Sequence, residues 1–434
     1  MQEDFIHYLW QQQYFDKTNL TTTDGEPIVV LRPGYRNADA GPDFLQARVR
    51  IGEVEWNGAV EIHLRASDWH RHDHQHDPRY DQVVLHVVHR ADQPVQRTNG
   101  TTIPTLDVGN RVFAETLDSY AVLLNAPPLG LPCAPLLTQV PGLTQTTMVT
   151  RALMERLEQK AAVLSALHRS LEGDWEATTF HALAAGFGFK KNGEAMTRLA
   201  KALPLPLLRR HRHNTLQTEA LVFGQAGLLE ATPEEDEYLG KLRREYEFLC
   251  HKYYEYDLGF AQLSAHDWNF LRLRPANFPT VRLAQLAALL SARPAWFEAL
   301  LTAADVPALQ QFFRAPVSGY WKCHYMPMRP GKVGELGKSS LNLLIINVVV
   351  PLRLAYAAHS GRPDDVEAIV GLLESLPAEH NQFTDAYREA GFANRSAADS
   401  QGLVALQRGY CQPRRCLQCA IGSRILRQNK LSAR

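Results

Sequence analysis

The chain has 434 residues, of which 45% are hydrophobic and 21% are charged, a balance typical of a globular protein rather than a disordered or fibrous one. Its 46 basic and 46 acidic side chains give a formal net charge of +0. This excludes a global field that would steer the protein to nucleic acid or membrane. Six cysteines are too few for a disulfide scaffold, so clustered cysteines indicate metal binding in a reducing compartment.

We recognise no targeting signal in the N-terminal residues. Residues 1–4 are acidic, and no apolar segment follows them before Gln11. The most apolar run, residues 341–351, is shorter than the roughly 20 residues that a transmembrane helix needs. We therefore expect a cytoplasmic protein that does not bind membranes.

Residues 1–125 predict a mixed α/β domain that begins with an amphipathic helix over residues 3–15. Alternating or short apolar runs then predict strands over residues 27–31, 44–51, 54–64 (kinked or bulged near Gly58), 83–88 and 101–108. The proline-rich residues 126–145 indicate a linker. Residues 146–434 repeat apolar side chains at helical spacing, which predicts a larger, mainly helical domain. The predicted fold class is therefore α+β.

Histidines are concentrated in one part of the first domain, where seven of the 17 lie between His63 and His89. Imidazole and carboxylate are common ligands of zinc, manganese and iron. Glu61 and His63 lie on one face of the strand over 54–64, because side chains repeat every two residues. Asp43 comes just before the preceding strand. If the two strands pair as a hairpin, these three groups can converge on one divalent cation.

The order Gly41-Pro42-Asp43 followed by Glu61-Ile62-His63 resembles the active-site signature of the PD-(D/E)XK nuclease superfamily. The resemblance implies a restriction-endonuclease-like domain in which Asp43 and Glu61 hold magnesium or manganese. It also implies a phosphodiesterase, a nuclease acting on DNA or RNA. The sequence departs from the superfamily at His63, which stands where lysine is usual and which we expect to orient water or act as a base.

Three further residues belong to this hypothesis. Glu3 lies in the leading helix, as the layout of the superfamily implies, and His86 or Asp77 is expected to assist the chemistry or bind the metal. Two other interpretations remain open for the whole region. It can be a metal site of a hydrolase that acts on small molecules. It can also be structural, with Asp43 capping a turn and residues 70–76 forming a solvated loop, in a non-catalytic nucleic-acid-binding or assembly protein.

Three cysteines near the C-terminus, Cys411, Cys416 and Cys419, have the spacing Cys-x4-Cys-x2-Cys. Thiolates at this spacing can bind one metal centre, but a fourth ligand is missing locally. The candidates for it are Cys323, Cys250, Cys133 and His324. The spacing resembles the iron–sulfur loop of endonuclease III-type glycosylases, which implies a 4Fe-4S cluster; zinc is the other metal that such thiolates can bind. Alternatively, the three thiols pack in a terminal turn without metal.

Basic residues follow Asp399 with no further acidic residue. Such a block can neutralise nucleic-acid phosphates or form a solvated helix end. The candidates for nucleic-acid binding are Arg414, Arg415, Arg424 and Arg427. A second arginine group, Arg272, Arg274 and Arg282, surrounds a proline-broken loop and can either bind an anion at a helix start or pin the loop.

Long phrases across the chain resemble a bacterial family known as domain of unknown function 2851. They include residues 5–10, 37–44, 56–63, 67–72 and 274–279, and the final cysteine segment. The resemblance extends over nearly the whole chain and implies no activity by itself.

Overall fold

The computed structural model describes residues 2–126, 130–230, 237–333, 335–362 and 364–427. Two units can be distinguished by their internal contacts. The first unit comprises the residues up to Met148, residues 389–392 and the chain from Leu406 onward. The second comprises residues 149–388 and 393–405. A mixed sheet forms the centre of the first unit and helices dominate the second, so the predicted α+β class is confirmed.

The sheet of the first unit has six strands: β1 (Ile28–Arg32), β2 (Tyr35–Arg36), β3 (Phe44–Ile51), β4 (Val54–Arg65), β5 (Val83–Arg90) and β6 (Thr105–Asp107). Their order in the sheet is β1-β3-β4-β5-β6, with β2 paired to β3. Neighbours are antiparallel from β1 to β4 and parallel from β4 to β6.

The hairpin of β3 and β4 has the alternation that the sequence predicts. Along β3, Ala47 and Val49 are buried, whereas Arg48 and Arg50 are exposed. The sequence predicted a kink or bulge near Gly58 of β4. The structure has a register shift between Phe44 and Ala47 of β3, which faces Gly58, and a second shift in the pairing of β4 with β5. Phe44 pairs with Val60 in this antiparallel hairpin. The register therefore places Asp43, the residue just before β3, opposite Glu61 of β4.

The helices α1 (Glu3–Gln12), α2 (Asp68–Arg71) and α3 (Ala114–Asn125) accompany the sheet. Helix α1 packs against β4 through a buried face that includes Phe5 and Leu9. It ends earlier than the predicted residue 15, because Gln13 adopts a left-handed conformation with φ 52°.

The C-terminal helix Ala420–Arg427 belongs to the first unit, although the sequence assigned it to the helical domain. Its apolar face, with Ile421 and Ile425, is buried. Tyr8 of α1 donates to the carbonyl oxygen of Ser423 at 3.3 Å. Long-range packing of this kind carries no local sequence signal, so the periodicity alone could not place the helix.

The second unit is helical with one small antiparallel sheet, His324–Met326 with Arg329–Pro330. Its helices are Gly142–Ser170 (which begins in the first unit), Trp175–Phe187, Gly193–Ala202, Leu205–His211, Thr215–Gln225, Glu237–Lys252, Pro279–Ala292, Trp296–Thr302, Val306–Phe313, Gly319–Cys323, Lys338–Ser360, Asp365–Ser375, Gln382–Glu389 and Ala397–Leu406.

The helix Lys338–Ser360 contains the most apolar run of the sequence. By length and composition alone it is able to cross a membrane, but 72% of its apolar window is buried inside the protein, as in a core helix. Residues Ile345–Val349 form a π-helical turn directly before Pro351. Proline lacks an N–H and clashes with the carbonyl four residues earlier, and the wider turn accommodates both effects.

Candidate functional site

Asp43 and Glu61 meet where β3 begins its pairing with β4. The backbone N–H of Asp43 donates to Glu61 Oε2 at 3.0 Å, and the backbone N–H of Ile62 donates to Asp43 Oδ2 at 3.0 Å. These reciprocal hydrogen bonds fix one oxygen of each carboxylate. The structure therefore brings together the two carboxylates on which the sequence hypothesis depends.

Two imidazoles lie beside the other oxygen of Glu61, and a third adjoins one of them. Glu61 Oε1 is 3.3 Å from His74 Nε2 and 3.6 Å from His63 Nε2. His63 Nε2 is in turn 3.2 Å from His72 Nδ1. One ring nitrogen from each of the three histidines lies within 4.8 Å of the others. We call Glu61, His63, His72 and His74 the Glu–His cluster.

Two fully buried side chains support the cluster from behind. His86 Nε2 lies 2.9 Å from His63 Nδ1. The other ring nitrogen of His63, Nε2, is therefore the one that faces Glu61 and His72. The Trp69 ring centroid is 5.3 Å from that of His74 and 5.4 Å from that of His86. Because Trp69 follows directly on β4 in α2, it anchors the start of the histidine-rich loop on the sheet. His86 thus positions His63 and does not face the cluster itself.

Burial shifts the pKa values of Glu61 and His63 in opposite directions. Together with the charge of Asp43, it raises the pKa of Glu61 to about 9. Burial and the neighbouring imidazoles, His86 first, lower the pKa of His63 to about 2. Neutral imidazole is the form that binds metals, and a cation at this position would favour the ionised carboxylate. The cluster is therefore arranged as an acceptor of positive charge.

The other side of Asp43 is occupied by α1. His7 Nε2 lies 3.0 Å from Asp43 Oδ2. Burial acts to lower the pKa of His7, but the hydrogen bond and charge of Asp43 outweigh it and raise that pKa. Glu3, one turn earlier, is half-buried, and burial raises its pKa. Arg36 donates to His7 Nδ1 at 3.3 Å and so places a cation at this edge of the site.

The histidine-rich loop divides into inward and outward residues. Asp73 adopts a left-handed conformation with φ 62°, and the histidines on either side of it both reach His63. His74 is buried and its ring stacks on Tyr80, with centroids 3.8 Å apart. His76 is exposed, as the solvated-loop interpretation expected. The sequence hypothesis did not select His72, His74 or His7; the alternation His72-x-His74 was the only signal that pointed to the first two.

Asp77 has a different role from the one that the sequence suggested. Its carboxylate accepts a hydrogen bond from the backbone N–H of Arg79 at 3.0 Å and is bound by the Arg79 guanidinium. It therefore caps the short 3-10 helix Pro78–Tyr80. The arginine holds the pKa of Asp77 below its usual range. We do not retain Asp77 as a metal ligand.

The Glu–His cluster offers mainly nitrogen donors, with one carboxylate oxygen. Imidazole suits manganese, iron and zinc, whereas magnesium is bound almost entirely through oxygen atoms and water. Of the two cations named from the sequence, manganese fits this donor set better than magnesium. The carboxylate of Asp43 lies next to the cluster and is 28% exposed, so it remains accessible to a ligand or to water.

Four cysteines line a small cavity of about 10 Å³ in the first unit: Cys133, Cys411, Cys416 and Cys419. All four are buried. Burial raises the pKa of Cys133, and the negative charge of the three neighbouring cysteine thiolates raises it further. Burial raises the pKa of Cys416 to about 11. Of the four candidates for a fourth ligand, the structure brings Cys133 to the terminal cysteines, whereas Cys323 is exposed and belongs to the second unit.

The four candidate arginines near the C-terminus have different environments. Arg414 is half-buried and donates to the carbonyl oxygens of Leu123, at 3.4 Å, and Ala126. Arg424 is half-buried, with its Nε shielded from solvent. Arg415 and Arg427 are exposed. Arg414 thus pins the segment after α3, whereas Arg415 and Arg427 present their side chains to solvent.

Comparison with known proteins gives one result. A family model described as protein of unknown function, DUF2851, matches residues 3–382. The chain belongs to this family. No curated protein and no solved structure matches it, so the comparisons supply no support for the PD-(D/E)XK resemblance. The Glu–His cluster and Cys133 lie inside the matched part of this DUF2851 protein, and the three terminal cysteines lie outside it.

We expect Glu61→Gln to raise the melting temperature of the metal-free protein at pH 8. Burial raises the pKa of Glu61 in the folded protein to about 9, well above the usual range of a glutamate. Between the usual pKa of a glutamate and about 9, the folded state therefore holds a proton that the unfolded state releases. The free energy of unfolding falls as the pH rises through this interval. Manganese should stabilise the wild type but not the variant. Thermal unfolding with and without manganese measures both effects.

The matched control is Glu55→Gln, on the same strand, where Glu55 pairs with Arg48 at the surface. It should respond to manganese as the wild type does. Equal manganese stabilisation of the Glu61→Gln protein would show that the cation does not bind at Glu61.

Proposed function

We propose that this DUF2851 protein is a divalent-metal-dependent phosphodiesterase that acts on DNA or RNA in the cytoplasm. One observation carries the proposal: two backbone-clamped carboxylates, Asp43 and Glu61, adjoin three imidazoles whose ring nitrogens lie within 4.8 Å of one another. A hydrolytic metal site needs such a set of fixed donors beside a position that water and substrate can reach.

The Glu–His cluster would hold the cation, preferably manganese. A cation bound there supplies a Lewis acid and an activated water for attack on phosphorus. His86 keeps His63 in the tautomer and orientation that present Nε2 to the cation. The pair of Asp43 and His7 lies at the edge of the cluster and is suited to accept or return a proton.

Two arginines support an anionic substrate. Arg71 is largely exposed, forms an ion pair with Asp68 and lies 3.4 Å from His72 Nε2. On the other side of the site, Arg36 contacts His7 and forms an ion pair with Asp4. Guanidinium groups bind phosphate oxygens in a bidentate manner. The exposed Arg415 and Arg427 add positive charge to the same unit. These cations favour a phosphodiester over an uncharged small-molecule substrate.

A second proposal concerns the cofactor of the four cysteines. We propose that Cys133, Cys411, Cys416 and Cys419 bind zinc or an iron–sulfur cluster that stabilises the first unit. A Cys-x4-Cys-x2-Cys segment completed by one cysteine from elsewhere in the chain is typical of iron–sulfur ligands. The small volume of the cavity instead favours a single zinc ion. Iron and sulfide analysis distinguishes the two.

A cleavage assay tests the proposed activity. The full-length protein is incubated with manganese and single-stranded, duplex and structured DNA and RNA, and in parallel with a generic chromogenic phosphodiester. We expect manganese-dependent cleavage of at least one polymer. Cleavage of the small phosphodiester alone would favour the small-molecule hydrolase, and cleavage of nothing would favour a binding or assembly protein.

A further inference from the structure

A cavity of about 270 Å³ in the second unit has cationic and hydroxyl side chains in its wall. The polar side chains that line it include Lys190, Lys191, Arg282, Ser339 and Ser340. Among the described residues, no aspartate or glutamate contributes to this wall. A cavity with this lining is electrostatically unbalanced, and an anion would balance it.

Arg282 is the most unusual of these residues, because it is a buried cation that is only 6% exposed. Its guanidinium donates to Gln285 Oε1 at 2.8 Å and to Asn277 Oδ1, which are both uncharged acceptors. Its Nε is buried without a hydrogen-bond partner. Burial lowers the pKa of Arg282 to about 10, and no carboxylate in the part of the chain that the structure describes offsets this effect. A buried cation without a counter-ion is costly in free energy, and a bound anion would remove that cost.

Three helices begin at the wall of this cavity: Gly193–Ala202, Pro279–Ala292 and Lys338–Ser360. Asn192, Pro279 and Ser339, at or next to these starts, are among the lining residues. None of the three starts has a side-chain cap hydrogen bond. The first N–H groups of a helix have no intrahelical partner, and they lie at the positive end of its dipole. The three uncapped helix starts around this cavity therefore add positive potential to that of the lysine and arginine side chains.

We propose that this cavity binds a dianionic phosphate group, either free or at the end of a small organic molecule. Backbone N–H groups at helix starts, serine hydroxyls and a guanidinium are the donors that recognise phosphate oxygens. The wall also contains Phe187, Leu273 and Leu343, and the apolar part of an organic phosphate would contact this surface. The site belongs to the second unit and does not depend on the activity proposed for the Glu–His cluster.

Calorimetric titration of the full-length protein with inorganic phosphate, at constant ionic strength, tests the proposal. We expect saturable binding that weakens about tenfold in Lys190→Ala/Lys191→Ala, because two charged donors are lost from an exposed edge. Both lysines are exposed, so this variant should fold. The matched control is Lys201→Ala/Lys322→Ala, which removes two exposed lysines of the same unit outside the lining and should bind as the wild type does.

Further titrations identify the ligand and exclude binding at the Glu–His cluster. Tighter binding of glycerol phosphate or adenosine monophosphate than of phosphate indicates an organic ligand, and equal affinities indicate phosphate itself. Arg282→Lys, which keeps the charge but not the planar donor set, should also weaken binding. The proposal is overturned if phosphate and both esters fail to bind, if the Lys190/Lys191 variant keeps full affinity, or if binding is lost in Glu61→Gln instead.

Discussion

Glu61→Gln should reduce manganese-dependent cleavage to background while the protein remains folded. The substitution preserves shape and removes the negative charge that the cation requires, at a position where burial already favours the neutral side chain. Asp43→Asn should cause a comparable loss, since it removes the carboxylate charge beside the cluster and the partner of His7, while the backbone N–H that donates to Glu61 is retained. His63→Ala should lower the rate by about 10²–10⁴-fold if His63 transfers a proton or holds the metal. The cleavage assay measures each variant beside identically purified wild type.

Two histidines of one loop provide the matched comparison. His74→Ala removes a ring nitrogen of the cluster, whereas His76→Ala removes an exposed imidazole two residues later. We expect large loss in the first variant and full activity in the second. His86→Gln tests positioning: its activity should recover with excess manganese, because outer partners of a ligand change metal affinity by about 10–100-fold. Equal rates for wild type and Glu61→Gln on every substrate would end the enzyme hypothesis and leave the binding or assembly interpretation.

Cys133→Ser should remove the metal of the cysteine site and lower the melting temperature of freshly purified protein. Ligand binding at such a site is coupled to folding, so a loss of a few kcal/mol corresponds to roughly 5–10 °C for a chain of this size. Cys416→Ser should have the same effect. Elemental analysis, sulfide determination and a visible spectrum after anaerobic purification, followed by thermal unfolding, measure the outcome.

Cys323→Ser is the control, because Cys323 is exposed and belongs to the second unit. It should keep both the metal and the melting temperature. If Cys323→Ser lost the metal while Cys133→Ser kept it, the fourth ligand would be the one first suggested by sequence. Absence of zinc and iron from the wild type would instead mean that the four thiols form an ordinary packed core.

The parts of the fold that were predictable are those specified by local periodicity. The alternation over residues 44–51 predicted the bounds of β3, and the pairing of β3 with β4 followed from a short connection. That pairing was sufficient to expect Asp43 beside Glu61. Helix α1 was recognised from its apolar spacing, although its end was not, because Gln13 turns left-handed without a glycine.

The rest depends on contacts between distant residues. The buried His74 and the exposed His72 both reach His63 because Trp69 anchors the preceding turn and Asp73 reverses the chain, neither of which a histidine-rich sequence reveals. Cys133 joins the terminal cysteines only because the C-terminal segment packs in the first unit. Arg282 was noted near a helix start, but its burial, and the lack of an acidic partner for it among the residues that the structure describes, are visible only in the fold.

The most direct test of the central claim is a crystal of the full-length protein grown with manganese and measured at the manganese absorption edge. We predict one strong anomalous peak within roughly 2.0–2.3 Å of Glu61 Oε1 and of the ring nitrogens of His63 and His74. Crystals of Glu61→Gln grown in the same way should lack it. A peak only at the exposed His76, or none in the wild type, would contradict the assignment of the Glu–His cluster as a metal site.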